Sequence, residues 1–90
     1  MAFEIILAPE AIRDLRKLWA NLRTGVRDAI ERRLRHQPTK ISRAGVKRLR
    51  GVSRPQFRLR VGDIRVLYDV VGTEVHILAV VSKEQGESWL

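Results

Sequence analysis

Three alternating apolar runs separated by two glycine-led dipeptides constrain this chain more than any other feature. They lie at 56–61, 64–71 and 74–82, with Gly62-Asp63 and Gly72-Thr73 between them, and two-residue loops of that kind join antiparallel strands tightly. Side chains alternate between faces along a strand, so the loop lengths also set the register. Val61 then opposes Ile64, Arg60 opposes Arg65, Leu59 opposes Val66 and Phe57 opposes Tyr68. Across the second hairpin, Tyr68 opposes Ile77 and Val66 opposes Ala79. One face collects Phe57, Leu59, Val61, Ile64, Val66, Tyr68, Val70, Val75, Ile77, Ala79 and Val81. A second layer must cover it.

The first half of the chain supplies that layer. Residues 3 to 7 predict a short strand, and Pro9 then stands where proline is favoured, in the first turn of a helix opened by Glu10. Ile12, Leu15, Leu18, Trp19 and Leu22 recur every three or four residues, which predicts one helix with Trp19 in its buried stripe. A second helix is expected from the N-cap Thr24 to about His36, with Val26, Ala29, Ile30 and Leu34 on one face, ending before Pro38. A polar linker, 37–42, leads to a further strand at Val46 to Leu49. The expected fold is therefore α+β, one domain over 1–90: an N-terminal strand and a two-helix hairpin packed on an antiparallel, twisted sheet of about four to five strands, in the order β-α-α-β-β-β-β.

The same region is electrically lopsided. From Arg43 to Arg65 the chain carries eight basic residues against the single acid Asp63, which accounts for seven of its eight net positive charges. In Phe57-Arg58-Leu59-Arg60-Val61 the arginines all leave on the face opposite the apolar one. That face gathers Arg58, Arg60 and Arg65 with Leu67, Leu78 and Val80, and places Asp69 beside His76. Arg60 and Arg65 repel directly across the strand pair unless an anion lies between them. Guanidinium forks match phosphate geometry, so a nucleic-acid backbone is the first ligand to expect, and the neighbouring leucines and valine mark a protein-docking groove. There is no cysteine, and two isolated histidines, His36 and His76, make no metal site. No metal or other cofactor is expected. Nor is a membrane segment: Phe3 to Ala8 is too short for a signal sequence, and a cytoplasmic protein is the expectation.

The string Lys47-Arg48-Leu49-Arg50-Gly51, followed by Phe57-Arg58-Leu59-Arg60-Val61-Gly62-Asp63-Ile64-Arg65-Val66-Leu67-Tyr68-Asp69-Val70, resembles the central motif of the RelE/ParE toxins of bacterial type II toxin–antitoxin pairs. Ala8-Pro9-Glu10-Ala11, the helical hairpin and the last strand running into Ser82-Lys83 are similar to that family too. The resemblance implies a toxin neutralised by a cognate antitoxin that wraps over the basic groove, the pair binding its operator DNA. RelE-like members cleave messenger RNA on the ribosome without a metal, whereas ParE-like members poison DNA gyrase. The RelE-like branch is favoured here.

Carried onto matching positions, the resemblance implies that Arg58, Arg65 and Lys83 are the catalytic residues. Lys47, Arg48, Arg50, Arg54, Arg60 and Trp89 are expected to bind RNA, and Leu67, Leu78 and Val80 to bind the antitoxin. Arginines neutralise charge developing on a phosphoryl oxygen but stay protonated. The proton must therefore pass to Lys83 or to water. Trp89 stands near the family's C-terminal tyrosine, and an indole stacks on a base but has no hydroxyl to titrate.

Overall fold

The computed structural model describes residues 2–43 and 45–88. Strand β1 (Glu4–Leu7) leads into α1 (Pro9–Lys17) and α2 (Ala20–Ala29), the latter continuing as a π-helical stretch, Ile30–Leu34. Strands β2 (Val46–Arg48), β3 (Phe57–Val61), β4 (Ile64–Val71) and β5 (Glu74–Ser82) follow, and α3 (Lys83–Ser88) closes the described chain. The sheet runs β1-β5-β4-β3-β2. The expected α+β order stands, with two differences: β1 joins β5 in parallel rather than antiparallel, and a third helix follows the last strand. A parallel neighbour requires a long crossover, and the helices and the rest of the sheet intervene here.

Helix α1 ends at Lys17, five residues before Leu22, the last residue of the apolar stripe. Leu18 and Trp19 are both extended, with ψ of 147° and 149°. Arg23 reaches back to hold that break: its Nε donates to Leu15 O at 3.0 Å, which also accepts the Leu18 N–H, and its Nη2 donates to Leu18 O at 2.9 Å, beyond the helix end. Trp19 is thereby turned out of the layer and is 82% exposed, against the expectation of a core residue. Thr24 is no cap either, because α2 has already begun and its hydroxyl donates to Ala20 O within the helix.

The first hairpin has the predicted register, including Arg60 opposite Arg65 and Phe57 opposite Tyr68. The second does not keep its register throughout. Tyr68 pairs with Ile77, but Leu67 then pairs with Ala79 and Val66 with Val80, so a β-bulge leaves Leu78 unpaired. One extra residue reverses the alternation beyond it. Val80 consequently joins the core, 4% exposed, and Val81 moves to the open face beside Arg65. The N–H of Val80 donates to the Asp14 carboxylate of α1 at 2.9 Å, beyond the point where β1 pairs with β5.

The core lies between the sheet and the helical hairpin. Ala11, Leu15, Val26, Ala29, Ile30 and Leu34 pack with Val46, Phe57, Leu59, Ile64, Val66, Tyr68, Val75, Ile77 and Val80. Phe57 and Tyr68 stack, centroids 5.5 Å apart. The Tyr68 hydroxyl donates to Pro38 O at 2.6 Å, fastening the linker after the π-helical stretch, and burial pushes its pKa upward. No helix among the described residues is long and apolar enough to cross a membrane.

Candidate functional site

With the helices on one face of the sheet, the other face is left for α3 alone. A Ser82–Gln85 capping box starts that helix: Ser82 N–H donates to Gln85 Oε1 at 3.1 Å, and Gln85 N–H donates to Ser82 Oγ at 3.2 Å. The Lys83 backbone N–H donates to Asp63 O at 2.9 Å, so the helix is tied to the β3–β4 turn. Gly86 is buried against Arg65, where a Cβ would lie 3.4 Å from the arginine's Cγ.

Beneath α3 the open face forms a cavity of about 230 Å³, lined by Lys47, Leu49, Arg58, Arg65, Leu67, Lys83, Gly86 and Glu87. Strand pairing explains the convergence. Lys47 lies opposite Arg58 across β2 and β3, and Arg58 lies opposite Leu67 across β3 and β4. Leu67 is only 2% exposed although it stands outside the main core cluster. Four cations thus face one carboxylate, Glu87. None of the four is in an ion pair among the described residues.

Arg58 is the most constrained of them. Its Nη1 is buried without a hydrogen-bond partner among the described residues. Desolvation lowers its pKa below the usual guanidinium value, and the charges of Arg65 and Arg60 lower it further. A buried charged donor left unpaired is unfavourable, and an anion placed against it removes both the lost hydrogen bond and the like-charge repulsion. Arg65 is held differently: its Nη1 donates to Gly62 O at 2.9 Å and Ile64 O at 3.2 Å, which fixes the guanidinium against the turn. The arrangement can hold and neutralise a phosphate.

The residues expected from the sequence divide into three groups. Arg58, Arg65, Lys83 and Lys47 meet around the cavity, with Leu67. Arg60 is exposed opposite Arg65 and Arg50 is exposed beyond β2, and neither lines the cavity. Arg48 and Arg54 are engaged elsewhere. Arg48 pairs with the inward-facing Phe57 and lies over its ring at 5.3 Å, on the side away from Lys47. The Arg54 Nε donates to Asp69 Oδ2 at 2.7 Å, while Asp69 Oδ1 accepts the Gln56 N–H at 2.7 Å. Asp69 and His76 are paired in register, as expected, but Asp69 faces Arg54, and His76 bonds Glu74 at 2.9 Å.

Of the three expected antitoxin contacts, Val80 is corrected by the bulge into the core, Leu78 is half-buried at the bulge, and Leu67 lines the cavity. Trp89 lies outside the described residues. Sequence reasoning missed Leu49, Gly86 and Glu87. The Ser82-x-x-Gln85 spacing was the available signal for the last two, since it starts the helix that carries them.

The family model described as "ParE toxin of type II toxin-antitoxin system, parDE" matches residues 5–86. Among solved structures, the chain is similar to one from the RelBE2 toxin–antitoxin complex of Mycobacterium tuberculosis, with 29% identity and a TM-score of 0.75, covering 91% of this chain and 99% of that one. It is similar in fold to a chain of the RelE–RelB complex of Pyrococcus horikoshii OT3, at 22% identity and a TM-score of 0.68 over 92% of this chain and 97% of that one. A mutant of the E. coli toxin RelE in the free state shares the fold at 19% identity and a TM-score of 0.61, covering 99% and 92%. No curated protein sequence matches the chain.

Proposed function

This chain belongs to the ParE toxin family of type II toxin–antitoxin systems, and on that premise we propose that it arrests growth as a metal-independent endoribonuclease acting on messenger RNA at the ribosome. The observation that carries the reading is Arg58, half-buried, whose guanidinium Nη1 is buried without a hydrogen-bond partner among the described residues, set among Lys47, Arg65 and Lys83 in one cavity. A scissile phosphate is the ligand that this arrangement fits.

The reaction is an internal transesterification. The ribose 2′-oxygen attacks the adjacent phosphorus, the P–O5′ bond breaks, and the products are a 2′,3′-cyclic phosphate and a 5′-hydroxyl. Charge gathers on the non-bridging oxygens as the 2′-oxygen adds. Arg58 and Arg65 neutralise it from fixed positions, and removing one such donor commonly lowers a rate by about 100- to 1,000-fold. Lys83 assists proton transfer between the 2′-hydroxyl, water and the departing 5′-oxygen, because neither arginine gives up its proton. Lys47 and Arg60 hold the flanking backbone, and Trp89 stacks on a base. Similarity to chains solved as toxin–antitoxin complexes supports a cognate antitoxin as partner, covering the cavity and reaching Leu67 and Leu78. The complex binds its operator DNA.

A second reading, non-enzymatic inhibition of DNA gyrase, is favoured by the ParE name of the matching family model. Expression of the chain without antitoxin separates the two. Message cut within codons on translating ribosomes, with 2′,3′-cyclic phosphate ends, supports the nuclease; intact message with gyrase-dependent DNA damage overturns it.

A further inference from the structure

A second cationic cavity, of about 300 Å³, is lined by Arg32, Arg33, Gln37, Lys40, Ser42 and Val46. Three of these are cations and none is an acid. Arg32, Arg33 and Lys40 make no ion pair among the described residues. Both arginines come from the π-helical stretch, whose ends Ile30 and Leu34 are buried while the residues between them are exposed. Such one-turn widenings of a helix are frequent at functional sites. Attraction to the negative end of a helix accounts for basic residues in this place. It does not account for how Arg33 is held.

The Arg33 Nη1 donates to Ser42 Oγ at 3.4 Å, and the same oxygen accepts the Val46 N–H at 3.1 Å. With both contacts spent on accepting, the Ser42 hydroxyl keeps its proton to donate, and it has no acceptor among the described residues. Gly45 makes the arrangement possible. A Cβ there would fall 2.5 Å from Arg33 Nη1 and 2.6 Å from Ser42 Oγ, so a side chain would drive the guanidinium away. Gly45 is also anchored, its carbonyl accepting the Arg60 N–H at 3.1 Å. A guanidinium lying against a small residue and a serine hydroxyl, with that hydroxyl's own proton and two further cations beside it, forms a cradle for an oxyanion.

Position supplies the rest of the argument. Val46 lines this cavity and Lys47, the next residue of β2, lines the one over Arg58. Successive residues of a strand point to opposite faces, and β2 is the last strand of the sheet. A path from one cavity to the other over the β2 edge therefore crosses no other strand of the sheet. We propose that the cavity between Arg33, Lys40 and Ser42 is a second phosphate site, which grips the backbone of the same RNA whose reactive phosphate lies over Arg58. This rests on RNA being the ligand of the first cavity.

The test uses 2′-O-methyl oligonucleotides, which bind but lack the attacking hydroxyl, in lengths of about 4 and about 16 nucleotides. Their affinity for the full chain is measured over a salt series. Removing two phosphate-contacting cations in R33Q/K40Q lowers the magnitude of the salt slope for the longer strand by about 1.4, and leaves the shorter one and the melting temperature unchanged. G45A shifts the longer strand in the same direction. An unchanged slope in both variants, with wild-type binding intact, overturns the second site, as does a slope change confined to duplex DNA. If the slope responds to R33Q/K40Q but the wild-type chain cuts no RNA on ribosomes, the second site stands and the nuclease reading falls.

Discussion

The cavity beneath α3 and the start of β3 present the same residue type in opposite circumstances. At the start of β3, Arg54 faces Asp69, whose second oxygen takes the Gln56 N–H, while Gln56 Oε1 accepts the Val70 N–H at 2.8 Å. Both Asp69 carboxylate oxygens and the Gln56 side-chain oxygen are matched in that small network, which joins β4 to the chain leading into β3. Under α3, Arg58 has a buried nitrogen with no partner among the described residues, and two like charges nearby. The first arrangement stabilises the fold. The second leaves an interaction for a ligand to complete, and basic residues that look alike in the sequence are separated by what faces them.

Replacing Arg58 with alanine is expected to have the largest effect on activity. Cleavage of ribosome-bound message should fall by about 100- to 1,000-fold with no loss in melting temperature, because an unpaired buried donor is removed. Retention of cleavage would remove Arg58 from the phosphate site; unfolding would make it structural. At the other region, Asp69→Ala is expected to leave toxicity per folded molecule intact but to lower stability by about 1–3 kcal/mol, since the Gln56 N–H and Arg54 lose their acceptor together. Denaturant titration measures it.

Arg54→Ala tests the same network from its exposed side. The Arg54 side chain is 68% exposed and Asp69 is 5% exposed, so solvent screens the pair and the loss should stay under about 1 kcal/mol. R54A/D69A should be no less stable than D69A alone. The smallest effect is expected for Glu31→Gln. Arg35 hydrogen-bonds the Glu31 carboxylate and holds its pKa below the ordinary 4.5. That contribution is present above 4.5 and disappears as pH falls through the lower folded value. The wild type and E31Q should therefore converge in melting temperature at acid pH, and a gap that widened there would contradict the assignment.

Much of this architecture was legible from local pattern. Gly62-Asp63 set the β3–β4 register, and that register brought Arg58 and Arg65 onto one face. Lys83 came from the family resemblance rather than from local pattern, and it does line the same cavity. The β4–β5 pair was read with the same rule and failed past Tyr68, because a bulge is a property of two strands and of what packs on them. Leu78, Ala79 and Val80 are all apolar, so nothing in their alternation shows which one is extra. Helix α1 failed for a related reason. The stripe through Leu18, Trp19 and Leu22 continues in the sequence, while the break depends on Arg23 folding back onto carbonyls of the preceding turn.

Sequence alone determined where the strands fall, which turn joins β3 to β4, and that a surplus of positive charge would collect on one side of the sheet. Those follow from short-range rules of sterics and alternation, which act within a few residues. Only the tertiary structure decided which charges remain unmatched. Pairing Arg54 with Asp69 and Arg48 with Phe57, while leaving Arg58 bare, requires side chains 15, 9 and more residues apart to meet. Electrostatic and hydrogen-bond energies are set by those final distances and by burial, so a row of arginines becomes a candidate site only where the fold withholds the partner.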